Sequence, residues 1–256
     1  MEKKKYIAFV GDSFCASYGM STSITENLFQ RRLSIPTYTT IVSDHYQFDV
    51  APYGFAGKSW WYSWSKFWKA WGGKLDHLEA IIFTHTDHAR INSAVIPEFP
   101  LMANYVRPEV SAEMIQANQN YFKYIHDDAF NAWAQEQYFK MLEEKFNKIK
   151  TVHFHCHTNT IGQAHLLPGV VFTTPLHQIN IGELRGSKEQ IMQCISQDLR
   201  ANHFNDHNNQ VMADVIIQAL DNYVPGMVSL PIEKFDQPNP NAASWATWPI
   251  MDQDIK

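Results

Sequence analysis

Short apolar runs, separated by longer stretches with helical spacing, are the feature that most restricts the fold of this chain. The runs cover Tyr6–Val10, Gln47–Pro52, Ala80–Thr84, Thr151–His155 and Val170–Thr173. Apolar strands that alternate with helices are typical of a parallel sheet covered on both faces. We therefore predict an α/β fold of three layers, with helices on both sides of a mostly parallel, five-stranded sheet.

Helical spacing of apolar residues is clearest in three segments. They lie around Thr37–His45, around 116–148 with a break, and over Asn208–Tyr223. About 65 residues separate the third and fourth apolar runs, which is too long for a simple crossover. We therefore expect residues 90–148 to form a helical insertion or lid.

The composition changes after Val224, where Pro, Asn and Ser become frequent. This change predicts one α/β domain over residues 1–224 and an extended arm over residues 225–256 that lies on its own domain or reaches a neighbour. We expect a homo-oligomer or assembly partner to bind either at this arm or at the Trp-rich segment 59–73.

Charge and composition exclude several classes of protein. A net charge of -5 with 45% hydrophobic residues does not favour nucleic acid, an anionic membrane or disorder. The apolar run before Gly11 is too short for a signal peptide, and three scattered cysteines fit a reducing compartment. We expect synthesis in the cytoplasm without a signal peptide, and no cofactor.

The stretch "FVGDSFCASYG" places Asp12 and Ser13 directly after the first predicted strand. A tight turn at that point can present a serine at the rim of the sheet, close to the amino end of the next helix. Such a serine can be a nucleophile. Asp and Ser are also preferred helix caps, so capping is the alternative interpretation.

Two further stretches follow strands at the same predicted edge. In "VAPYGFAGKSWW", Gly54 and Gly57 allow close approach of a ligand to backbone amides, although this is also a common turn pattern. In "EAIIFTHTDHARI", polar side chains crowd the carboxyl end of a strand, where open α/β sheets bind ligands. The polar residues that we expect to line the site are His85, Thr86, Asp87 and Arg90.

A fourth stretch, "QDLRANHFNDHNNQVMADVII", contains His203 just before the last predicted helix. A histidine on a loop held by a rigid scaffold is a suitable general base, because its ordinary pKa lies near neutrality and a serine hydroxyl needs a base. The chain has 12 histidines, and most histidines in proteins are neither bases nor ligands.

Taken together and in this order, the four stretches resemble the sequence blocks of the SGNH, or GDSL-like, hydrolase superfamily. The resemblance implies a flavodoxin-like sheet. It also implies that Ser13 is the nucleophile, that the amides of Ser13 and Gly57 form an oxyanion hole, and that His203 is the base. The form of the last block also resembles versions of this fold in bacteriophage genomes, which implies a virion-associated protein.

Two blocks depart from the pattern of the family. Thr86 stands where the family has Asn, with His85 as an alternative oxyanion donor, and a threonine hydroxyl is a shorter donor that rotates. Arg200 stands three positions before His203, where the family has Asp. The nearest upstream acid is Asp198, which can orient the ring of His203. Alternatively, a backbone carbonyl orients this ring, or no charged group does. The residues expected to line the site also include Asp12, Arg200 and Asn202.

Two other groups of residues have both a functional and a structural interpretation. His153, His155 and His157 share one face of a predicted strand and, with His85 and His88, can bind a transition metal, although we favour no metal. Trp61, Trp64, Trp68 and Trp71 form a helical stripe, which is more often core or an oligomer interface than a sugar platform.

The sequence thus predicts an esterase or O-deacetylase that acts on a small acyl ester, for example an acylated glycan. The alternative is a structural or adhesion protein of a virion or other assembly that keeps the fold and has lost the chemistry. The substituted blocks, the Trp-rich helix and the carboxyl-terminal arm favour this alternative.

Overall fold

Among the residues that the structure describes, the central sheet of the computed structural model has six strands, and the pairings between them are parallel. The structure describes residues 4–12, 14–15, 37–55, 58–92, 100–101, 111–179, 204 and 206–236. In chain order the described strands are β1 (Tyr6–Gly11), β2 (Asp49–Gly54), β3 (Leu78–His85), β4 (Ile91–Asn92), β5 (Pro100–Leu101), β6 (Lys150–His155), β7 (Val170–Phe172) and β8 (Gly226–Val228). Strands β4 and β5 form a separate antiparallel pair.

The strand order in the sheet is β2-β1-β3-β6-β7-β8. From β1 the chain first moves outward to β2 and then returns to β3 on the other side. This reversal is the topological switch point of a flavodoxin-like sheet, where such folds form a crevice at the carboxyl ends of the strands. The prediction of a parallel α/β fold is confirmed.

The described helices are α1 (Tyr38–Tyr46), α2 (Trp60–Trp71), α3 (Ala112–Tyr124), α4 (Asp128–Phe146) and α5 (Asp206–Asp221). Three of them begin at side chains that cap free backbone amides. Ser59 accepts a hydrogen bond from Tyr62 N, Ser111 from Met114 N, and Asp127 from Phe130 N. These caps fix where each helix begins.

Helices cover both faces of the sheet and make it the middle layer of three. On one face, α1 and α5 pack their buried side chains against Ile7, Phe9 and Phe154. On the other face, α2 and α4 pack against Ala8, Val10 and Phe83. Alternate residues of each strand point to opposite faces, which explains why residues 7–10 of β1 and 80–83 of β3 form continuous apolar runs.

The segment 90–148 differs from the expected lid. Its second helix, α4, buries Tyr138, Phe139, Leu142 and Phe146 against the sheet, so it is the crossover helix between β3 and β6. Helix α3 has no buried residue and leads into α4. The long connection therefore contains an ordinary crossover with an additional exposed helix.

The segment after Val224 begins as part of the domain. Residues of β8 pair with β7 and add a sixth strand beyond the five expected. Farther along, Asn208 of α5 accepts a hydrogen bond from Asp236 N at 2.8 Å. The strand is short and its residues are exposed, so no apolar pattern indicated it. Residues 237–256 of the predicted arm lie outside the described residues.

Within the described part of the chain, no helix has both the length and the apolar character that crossing a membrane requires.

Candidate functional site

The carboxyl ends of β1, β3 and β6 meet at the carboxylate of Asp12, which is 1% exposed. Its Oδ1 accepts hydrogen bonds from Phe14 N at 3.1 Å and from the Cys156 thiol at 3.4 Å. Its Oδ2 pairs with Arg90 Nη1 at 3.2 Å. Three chain segments that are distant in sequence are thus held together by one buried side chain at the switch point.

The end of β1 is followed by a tight turn. Cys15 N donates to the Asp12 carbonyl at 3.2 Å, which closes a four-residue turn. The preceding carbonyl, that of Gly11, accepts from Phe55 N at 3.0 Å and from Ser63 Oγ at 2.5 Å. These bonds tie the end of β1 to the loop after β2 and to α2.

The loop after β3 begins with Thr86, which is 1% exposed. Its carbonyl accepts a hydrogen bond from Gln135 Nε2 of α4 at 2.9 Å. Its hydroxyl Oγ1 is buried and has no hydrogen-bond partner within the part of the chain that the structure describes. Buried hydroxyl groups are usually hydrogen-bonded, so an unsatisfied one needs an explanation.

Asp87 shapes the rest of this loop. Its Oδ1 accepts from Ala89 N at 2.8 Å, and its carbonyl accepts from Arg90 N at 3.2 Å. The resulting turn returns the chain so that the Arg90 guanidinium reaches Asp12. Asp12, Thr86, Asp87 and Arg90 were predicted to take part in one site, and the structure joins Asp12 directly to Arg90 and places Asp87 in the same loop.

His85 lies elsewhere, in the layer between the sheet and α4. Its Nε2 is 2.9 Å from His153 Nδ1, and the ring is 2% exposed and packs on Phe139. Side chains alternate along β3, so His85 faces the layer opposite to that of Thr84, whose hydroxyl donates to Cys15 Sγ. The structure thus corrects the expectation that His85 lines the site or donates to an oxyanion.

Two histidines that follow β6 and β7 lie at the same rim as Asp12. The rings of His157 and His177 are 6.0 Å apart and nearly parallel. His177 Nδ1 lies 3.2 Å from the Cys156 carbonyl, which can only accept, so Nδ1 carries the proton. Burial lowers the pKa of His157, and the nearby carboxylate of Asp12 opposes that decrease.

The arrangement of the histidines does not form a metal centre among the described residues. No group of three or more His, Cys, Asp or Glu side chains there could hold a metal ion. Strand β6 directs His153 and His155 into the interior, whereas His157 comes after the strand at the rim. His88 pairs instead with Asp128 of α4, at 3.2 Å.

The tryptophans of α2 pack mainly against the core. Trp60, Trp64, Trp68 and Trp71 are partly buried against the cluster under α4, and Trp60 stacks on Tyr138 with ring centroids 4.6 Å apart. Trp61 contacts Tyr62 of its own helix. The core-facing stripe therefore includes Trp60 in place of the expected Trp61.

Several residues predicted for the site lie outside the described residues. They are Ser13, Gly57, Asp198, Arg200, Asn202 and His203. Their proposed roles therefore remain predictions from the sequence.

Two side chains that build the rim were not singled out from the sequence. Cys156 donates to Asp12, and Gln135 donates to the carbonyl of Thr86. The position of Cys156 directly after a buried strand is the sequence feature that could have indicated its place at the rim. No signal pointed to Gln135, because an isolated glutamine in a helix is usually exposed.

No protein-family model matches this chain, and no curated protein matches it. Among solved structures, the chain resembles a carbohydrate esterase whose active site displays divergent catalytic and non-catalytic binding functions. The TM-score is 0.37 with 11% sequence identity, and the match covers 87% of this chain. The chain spans 66% of the length of that esterase.

Proposed function

We propose that this protein is a serine ester hydrolase of the SGNH type. Ser13 attacks an acyl carbonyl, and His203, oriented by Asp198, accepts the proton of the hydroxyl and returns it to the leaving alcohol. The amides of Ser13 and Gly57 and the hydroxyl of Thr86 stabilise the oxyanion. Water then hydrolyses the acyl-enzyme in a second step through the same groups.

The observation that carries this proposal is the convergence on Asp12. The residue directly before Ser13 is fixed from three directions by Phe14, Cys156 and Arg90. It stands at the switch point, where open α/β sheets bind their ligands. A nucleophile needs such a rigid mounting, because small errors in its position reduce the rate strongly.

The hydroxyl of Thr86 supports the same proposal. It is a buried donor without a partner among the described residues, next to the site in the loop that carries Arg90. A donor kept unsatisfied in the folded protein is suited to a charge that develops only during the reaction. The backbone of Thr86 is meanwhile fixed by Gln135.

The proposed substrate is a small acyl ester, with an O-acetyl group on a glycan as the first candidate. This choice, and the association with a bacteriophage virion, depend on the resemblance of the four sequence stretches and not on the shape of a pocket.

Hydrolysis of p-nitrophenyl acetate by the purified protein tests the mechanism. We expect Ser13→Ala and His203→Ala each to lower kcat/KM by at least about 10³-fold. The matched controls are Ser65→Ala and His165→Ala, because both side chains are exposed and neither residue belongs to the predicted site. Equal rates for the parent and both site variants, with acetylated glycans also untouched, contradict the proposal.

That negative result favours the second candidate, a structural or adhesion protein. The observation in its favour is a group of large apolar side chains exposed where α3 meets α4. They are Tyr124, Ile125, Phe130 and Trp133, each more than half exposed. Such a group is typical of a surface that binds another protein. Oligomers in solution, without labelling of Ser13 by a fluorophosphonate, support this candidate.

A further inference from the structure

Three histidine rings form a cluster between the sheet and α4, on the face opposite to α1 and α5. His85 comes from β3, and His153 and His155 come from the neighbouring strand β6. His85 Nε2 lies 2.9 Å from His153 Nδ1, and His155 Nδ1 lies 2.7 Å from Thr160 Oγ1. All three residues are at most 2% exposed.

The surroundings of this histidine cluster are almost entirely apolar and aromatic. Phe83 of β3 lies 4.9 Å from the ring of His153, and Phe139 of α4 lies 4.6 Å from the ring of His85. Within the described part of the chain, no carboxylate forms an ion pair with any of the three rings. The titratable group that faces the cluster from α4 is Tyr138, and burial raises the pKa of its hydroxyl, so the side chain is neutral.

The cluster can hold its rings only in the neutral form. A proton added to His155 Nε2 creates a buried charge at an atom that has no hydrogen-bond partner among the described residues. His153 Nε2 also lacks a well-aligned partner there. Charging two neighbouring rings adds mutual repulsion in a medium of low dielectric.

The pKa values have the direction that this geometry requires. Burial, followed by the repulsion of the other rings, lowers the pKa of His85 and His153, although the Pro168 carbonyl opposes the decrease at His153. Burial lowers the pKa of His155 to about 4. An opened cluster therefore binds protons below about pH 6.5 that the closed cluster does not bind.

The same helix covers the histidine cluster and holds the rim of the candidate site. Phe139 packs on His85, and Gln135, one turn earlier in α4, donates to the carbonyl of Thr86. Release of α4 from the cluster therefore also removes the support of Thr86.

We propose that the His85–His153–His155 cluster is an acid-sensitive lock that keeps α4 on the sheet at neutral pH and releases it in mild acid. The direction of this pH effect follows from the linkage between proton binding and stability. The closed state binds fewer protons than the opened state, so its stability relative to the opened state falls as the pH falls below about 6.5. This inference does not depend on the proposed esterase activity.

Hydrogen exchange at pH 7.5 and pH 5.0, corrected for intrinsic rates, tests the lock. In the parent protein we expect protection of α4 amides to fall at least about tenfold more than protection of α5 amides, which lie on the opposite face of the sheet. The double variant His85→Phe/His153→Phe removes both hydrogen-bonding partners together, and we expect it to lose most of this pH dependence. His165→Gln, at an exposed histidine, should behave as the parent protein does.

Equal protection of α4 at the two pH values in the parent, or an unchanged fall in the double variant, overturns the proposal. If the double variant does not fold, imidazole ¹⁵N spectra of the parent protein decide the question. Rings that stay neutral in the closed state at pH 5.0, while α4 protection falls, support the lock. Protonated rings beneath a protected α4 refute it.

Discussion

Arg90 Nη1 lies 3.2 Å from Oδ2 of Asp12, and the two side chains are 17% and 2% exposed. This ion pair connects the loop after β3 with the end of β1, across the switch point of the sheet. A charge as deeply buried as that of Asp12 needs a partner, because desolvation is not otherwise compensated. The pair is therefore a structural condition for the geometry of the candidate site.

Arg90→Met should destabilise the protein, because it leaves the Asp12 carboxylate buried without its cation. We expect the free energy of unfolding to fall by about 3 kcal/mol, at the low end for such pairs because Arg90 keeps some contact with solvent. Urea unfolding monitored by circular dichroism at pH 7.5 measures this change.

The control is the double variant Asp12→Asn/Arg90→Met, which removes both charges. It should be more stable than Arg90→Met alone, because no unpaired charge remains. The loss of stability in the double variant is compared with the losses in Arg90→Met and in Asp12→Asn alone. If it equals the sum of these two losses, the two residues do not interact as an ion pair in solution.

Thr86→Val should separate stability from activity. The substitution removes a buried hydroxyl that lacks a partner among the described residues and keeps the shape of the side chain. We expect the free energy of unfolding to rise by about 1 kcal/mol, because the cost of burying the hydroxyl disappears. If the proposed function is right, ester hydrolysis should fall about 10²-fold in the same variant.

The matched control is Thr84→Val, at a threonine two residues earlier that lies within β3. The hydroxyl of Thr84 donates to Cys15 Sγ at 3.0 Å, so its loss should destabilise by about 1 kcal/mol. A destabilised Thr86→Val variant means that the hydroxyl of Thr86 has a partner in solution and is not held in reserve for an oxyanion.

The parts of the fold that the sequence predicted are those where burial and periodicity act together. Strands β1 and β3 are buried on both faces and contain continuous apolar runs over residues 7–10 and 80–83. Strand β6 is also buried from Thr151 onward, but it alternates apolar residues with histidines. Strand β8 is short and exposed, and only its pairing with β7 makes it a strand. Tertiary hydrogen bonding of that kind leaves no local pattern.

The same distinction applies to the candidate site. Polar residues after a buried strand, such as Asp87 and Arg90, could be predicted because strand ends in a parallel sheet share one edge. Whether the side chain of His85 faces the rim or the core depends on one step of alternation along β3. In the structure it faces the core, where it is hydrogen-bonded to His153. Such a bond links strands far apart in the chain, so the sequence alone does not reveal it.

Cys15 and Cys156 should be unreactive in the native protein. Both thiols are fully buried, and burial raises the pKa of each, with the charge of Asp12 adding to the increase. The thiolate is the reactive form, so N-ethylmaleimide at pH 8 should label both at least about 10²-fold more slowly in native protein than in urea. Mass spectrometry of the peptides measures each site, and rapid native labelling of Cys156 contradicts its buried contact with Asp12.

Gly11→Ala should be among the most damaging small substitutions in the chain. A Cβ at Gly11 would overlap the hydroxyl and the carbonyl of Thr84 on the neighbouring strand, and the carbonyl cannot move without shifting β3. We expect a loss of about 3 kcal/mol or more in the free energy of unfolding, by the mechanism of overpacking.

Gly73→Ala is the control, since a Cβ there meets nothing within 4 Å. Replacement of Thr84 by Ala in the Gly11→Ala background removes the hydroxyl but should recover little stability, because the Thr84 carbonyl remains in place. If Gly11→Ala unfolds at the same urea concentration as Gly73→Ala, β1 and β3 do not approach each other this closely in solution.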